Sequence, residues 1–371
     1  EQLNVEPQQR CELTLPIKMD DLCPHAELML NVDFVLKSAE PLLEAGTRVA
    51  YNQFEMQQGA CFRKTPKAPE VNKDTKLALK NKASDAQIVV SNKHCTVAFN
   101  RSTGLLSAYN VDGKTLLGEG GTLKPNFWRA VTDNDMGAGV QKNNRIWREP
   151  KLKLVAINSV LDKKNNKADV HVDYDMPEVG AQLTLTYNVM ADGSVRVTQQ
   201  MTPKTGDKRP FLLRYGMVMQ LPYDMQVSEF YGRGPIENYA DRKLSQNVGI
   251  YKQTADEQFY PYIRPQETGT KSDVRWWKQT TDNGFGFKIV SPELFSASAL
   301  HYSIDDLDEG LDKAQRHSPQ VPKSKYTELC IDLGQTGVGG VNSWSNEAIA
   351  LPPYRLPYKQ YTFTFTLVPQ K

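Results

Sequence analysis

No run of 18 apolar residues occurs in the 371-residue chain, which excludes a membrane-spanning helix. An excess of one charge is missing too. Lys+Arg number 45 against 43 Asp+Glu, a formal net charge of +2, whereas a nucleic-acid binder concentrates positive charge in a patch. Cysteine is sparse: Cys11, Cys23, Cys61, Cys95 and Cys330 are odd in number and scattered, with no C-x-x-C pair. That argues against a disulfide framework and a structural zinc site, and leaves the compartment open between cytoplasm and periplasm. The five histidines include no pair at metal-ligand spacing, and no G-x-S-x-G elbow is present. The first residues, EQLNVEPQQR, have neither a basic start nor an apolar stretch and no initiator Met, so the reading is a chain cut from something longer.

What the chain has in abundance is period-two alternation. KADVHVDY (167–174) reads as a strand with Val170 and Val172 on one face. Residues 181–201 read as two strands joined at Ala191-Asp192-Gly193, and 279–290 repeat the device at Asn283-Gly284. YKQYTFTFTLV (358–368) alternates aromatic or aliphatic residues with Thr. Helical spacing is scarce; 74–86 offers a turn or two at most. The expected fold is all-β, a large antiparallel sandwich.

Residues 63–87, rich in Lys and holding Pro66 and Pro69, read as a linker. Residues 1–62 before it offer ELTLPI, ELMLNVDFVLK and TRVAYNQFEM, fewer strands than the roughly seven of a complete small sandwich. They read as the C-terminal part of one, with sheet edges left open. Residues 88–371 read as a single unit.

Four stretches bear on chemistry. TGVGGVNSWS (336–345) has three glycines but no Lys and no flanking βαβ unit, so it is neither a P-loop nor a dinucleotide loop. It can bend sharply and mount an indole, although a lone Trp344 most simply packs in a core. FYGRGPIENYADRK (230–243) and YPYIRPQETGTKSDVRWW (260–277) mix acids with guanidinium groups, which read as structural ion pairs; a glycosidase carboxylate pair needs a distance that sequence does not give. PNFWRAVTDNDMGAG (125–139) places Asp133 and Asp135 before Gly137, but Asn144 stands where an EF-hand loop needs Glu.

Taken together and in their order along the chain, these stretches resemble the C-terminal domain of the multidomain β-galactosidases of glycoside hydrolase family 2. LNVDFVLKSAEPLLEAGTRVAYNQFEM resembles the end of the immunoglobulin-like domain that precedes it. The resemblance implies a galactose-mutarotase-like super-sandwich for 88–371 after a partial immunoglobulin-like sandwich. It implies a parent enzyme that hydrolyses terminal non-reducing β-D-galactose residues with retention. The catalytic glutamates, and the magnesium and sodium sites, would lie in a TIM barrel that this chain lacks, so the chain would hold no catalytic residue, metal or cofactor. It also implies that Trp344, with Asn342 and Ser343, faces the sugar, and that Asp135, Gly137 and Gly139 belong to a loop that moves on ligand binding. The partners expected are β-galactoside sugars, the parent's remaining domains and a further copy of the chain, but neither nucleic acid nor membrane. A carbohydrate-binding module acting on its own is the alternative. A mutarotase-like enzyme would need a His–Glu pair, and neither His301 nor His317 sits in a suitable motif.

Overall fold

The computed structural model describes residues 5–16, 26–57 and 78–370. Strands dominate, with only short helices between them. The alternation seen in sequence is the alternation of burial: Ala168, Val170, Val172, Tyr174 and Met176 of strand Lys167–Met176 all point into the core. Tight turns sit where Asp-Gly and Asn-Gly were read. Gly193 and Gly284 take φ of 87° and 86°, values that a side chain resists.

The two layers of the sandwich diverge from one strand. Gly286–Leu300 pairs along its first half with Tyr361–Gln370 and along its second half with Tyr326–Gln335. Lys271–Thr280 follows its other edge. One layer continues from Tyr361–Gln370 through Val195–Pro203, Ala181–Met190 and Lys167–Met176 to Lys153–Asp162. The other continues from Tyr326–Gln335 through Arg214–Pro222, Leu123–Asn126 and Leu106–Val111 to Cys95–Asn100. Aromatic rings meet across the gap, Phe99 on Tyr187 and Tyr215 on Tyr361, each pair 4.9 Å between centroids. The chain therefore has the large antiparallel sandwich that its alternation predicts, in the super-sandwich form that the resemblance implies.

Two readings of the N-terminal third change. Residues 63–77 of the expected linker lie outside the described residues. Further along, Lys80–Ala83 form a strand paired with Gln87–Ser91 instead of a helical turn. The described part of ELTLPI is not a strand. Among the described residues 5–57, two strands stand out, Leu28–Val35 and Arg48–Gln57, joined antiparallel. Phe34, Val49 and Phe54 on this pair are 47%, 55% and 47% exposed. The pair is fastened to the large domain by polar contacts: Arg275 to Glu27, Tyr51 Oη to the Ser245 carbonyl at 2.6 Å, and Gln53 to both backbone groups of Val248.

Candidate functional site

The glycine loop leaves strand Tyr326–Gln335 and is held from below by a residue about a hundred positions earlier in the chain. Asp241 accepts the amides of Val338 and Gly339 at 3.1 and 2.8 Å. Gly337 and Gly340 are needed because the loop hugs its support. A Cβ on Gly337 would lie 2.5 Å from the Asp241 carboxylate, and one on Gly340 would lie 2.3 Å from the Glu347 carbonyl oxygen.

Beyond Gly340 the loop ties itself. Asn342 Oδ1 accepts the amides of Trp344 and Ser345 at 3.2 and 3.1 Å, an Asx turn, while its Nδ2 donates to Ser345 Oγ and Glu347. Trp344, next in the chain to exposed Ser343, is then aimed outward and is 79% exposed, whereas Trp128, Trp147 and Trp277 are buried. Core packing, the simplest reading of a lone Trp, is thus not what this residue does. Asn342 spends its side chain on positioning; it is Trp344 that is left open.

A second segment braces the loop. Thr132 and Asp135 form a capping box on the short helix Asp133–Gly137. Asn134 Nδ2 donates to the Asn342 carbonyl at 3.1 Å. Gly137 packs so closely that a Cβ there would stand 2.6 Å from the Ser343 carbonyl oxygen. Asp135, read from sequence as part of a moving loop, is buried against Arg129, whose Nη2 also donates to the Gly337 carbonyl at 3.1 Å. Gly139, at φ 73°, marks where the backbone turns out of this anchored piece. Arg129 went unremarked in the sequence: nothing in WRAVTDND shows that its guanidinium reaches a carbonyl more than 200 positions away.

The other acid-rich stretches form ion pairs. Asp273 joins Arg233 at 2.6 Å and Lys243 at 2.8 Å, and Arg242 joins Glu237 at 2.6 Å. Arg214 lies sealed between Glu267 at 2.9 Å and Asp332 at 3.4 Å. Burial pushes the Asp332 carboxyl up to about 7, with Arg214 opposing and Glu267 adding to the shift. No cluster of three or more His, Cys, Asp or Glu suited to a metal occurs among the described residues.

With this geometry in view, the family described as β-galactosidase small chain matches residues 91–367, and β-galactosidase domain 4 matches residues 1–57. A β-galactosidase of Priestia megaterium (strain DSM 319 / IMG 1521) is 32% identical over 99% of this chain and 34% of its own length. One of Halalkalibacterium halodurans is 27% identical over 92% of this chain and 32% of its own. The chain therefore spans about a third of the curated relatives it matches. Among solved structures, a galactose 1-epimerase from Lactobacillus acidophilus NCFM aligns over 78% of this chain and 98% of that one, with 10% identity and a TM-score of 0.42.

Proposed function

This chain belongs to the β-galactosidase small-chain family, and we propose that it is the C-terminal part of an enzyme that hydrolyses terminal β-D-galactosides. In this reading the catalytic carboxylates lie in another part of the enzyme, and Trp344 supplies an aromatic wall of the sugar site. The observation that supports it most directly is the 79% exposure of Trp344 on a loop whose backbone is otherwise fastened by Asp241, Asn342 and Asn134.

The chemistry suits a pyranose. One sugar face is a set of C–H groups, which an indole covers without asking for charge. Burying about 100 Å² of it at about 25 cal/mol/Å² gives roughly 2.5 kcal/mol before entropic costs. The anchored loop has little freedom left to lose on binding, and Gly139 is the position at which the bracing segment can pivot.

Two measurements test the reading. The purified chain should leave a chromogenic β-galactoside intact; hydrolysis by it alone would refute the assignment. In the assembled enzyme, Trp344→Ala should weaken galactoside binding about thirty-fold, an effect of roughly 2 kcal/mol. Calorimetry of the chain alone with galactose separates the alternative. Saturable binding lost in Trp344→Ala would make it a binding module in its own right.

A further inference from the structure

A second opening lies on the face of the sandwich, and it shares no residue with the Trp344 loop. It is a cleft of about 270 Å³ floored by strands Leu123–Asn126, Arg214–Pro222 and Tyr326–Gln335 and walled by segments around Arg148 and Asp305. Three observations bear on what it holds. Asn126 is 7% exposed, and its Nδ2 has no hydrogen-bond partner, while its Oδ1 accepts the Trp128 amide at 3.1 Å. An amide donor left open in a buried wall costs about 1 to 3 kcal/mol unless something accepts from it.

Charge in the cleft is mixed. Lys124 has no ion-pair partner among the described residues; Arg148 is matched by Asp305 at 3.0 Å and Asp308 at 3.4 Å; Glu149 and Glu328 add acids. Glu328 is fixed at one oxygen by the Ile304 amide at 2.8 Å. Burial raises its carboxyl to about 7, with the Ile304 hydrogen bond and Lys124 opposing, so that near neutrality it both donates and accepts. Beside these groups stand the apolar side chains of Leu105, Pro150, Leu152 and Val218; Trp128 lines the cleft from within the core, and its indole Nε1 donates to Asp308 at 2.7 Å, which fixes the ring. Donors and acceptors of both kinds, set beside apolar side chains, suit a ligand with hydroxyls on its rim and C–H groups on its face. The volume falls just under the range of about 300 to 1,000 Å³ typical of sites for larger organic ligands.

From the open Asn126 amide, the Glu328 carboxyl beside it in the lining and the apolar side chains around them, we infer that this cleft is a second binding site, for a single pyranose ring or a similarly small neutral polyol. It is independent of the Trp344 loop, and it does not depend on the parent's hydrolytic activity.

The test is a galactose titration of the full chain followed by the indole N–H signals of its five tryptophans. The Trp128 signal should shift saturably, and the shift should persist in Trp344→Ala. In Asn126→Ala the affinity read from that signal should fall about five-fold, the effect of one lost hydrogen bond. Glu328→Gln keeps the shape of the cleft and guards against a variant that fails to fold; it too should weaken the shift. A Trp128 signal that stays still up to tens of millimolar galactose, or that moves equally in Asn126→Ala and Glu328→Gln, would overturn the inference. Movement of Trp344 alone would overturn it as well while leaving the proposed galactoside wall intact.

Discussion

Lys271 is 1% exposed, and its Nζ donates to the Gly269 carbonyl at 2.8 Å. Burial pulls its ammonium down to about 7, with only Glu237 pulling the other way. The folded value lies below the unfolded one, so the unfolded chain holds more protons between about 7 and the ordinary lysine range. Stability should therefore rise with pH across that window and fall as pH drops toward 7. Lys271→Met should be more stable than the parent sequence at pH 7, with the gap closing by pH 10, in denaturant titrations at each pH. A gap that widens with pH would mean that the ammonium is better paired than its surroundings indicate. At this scale the sequence was informative about residue type and silent about partners. The glycines at 337, 339 and 340 announced a tight loop, but Asp241, which holds it, lies about a hundred positions away, and only folding brings it there.

Among the elements, the short helix Asp133–Gly137 matters more than its length suggests, because it joins the Trp344 loop to the core. Its Asp135 neutralises Arg129, which is itself buried. Asp135→Ala would leave that guanidinium uncompensated and should cost about 3 to 5 kcal/mol in denaturant unfolding. A loss below about 1 kcal/mol, the scale of an exposed ion pair, would show that the brace is dispensable. Strand Lys80–Ala83 escaped detection for the opposite reason. Its burial pattern is almost entirely exposed, so no apolar alternation was imposed on KNKA, and lysine-rich sequence of that kind blunts a sheet edge. Where strands are half-buried, as in Lys167–Met176 or Tyr361–Gln370, the pattern was plain to read.

For the whole molecule, the attachment of the N-terminal strand pair decides how the chain behaves. Glu27 and Arg275 are nearly buried, with side chains 7% and 6% exposed, and Glu27 also meets Tyr231. Arg275→Ala should loosen the pair without melting the sandwich. Limited proteolysis would then cut within residues 26–57 sooner than in the parent chain while 88–370 stays intact; unchanged cutting would show that Tyr51 and Gln53 suffice as anchors. By itself the sequence determined the all-β class, the tight turns, the inward residues of the central strands and the resemblance to a galactosidase part. Each of these rests on local periodicity, on turn chemistry or on motif order, and a linear string preserves all three. Only the tertiary structure decided that Gly286–Leu300 divides the sandwich into two layers, that Trp344 faces water on a braced loop, and that Asn126, Trp128 and Glu328 share one cleft. Those facts rest on contacts between residues far apart in sequence, which close packing sets and local pattern does not encode.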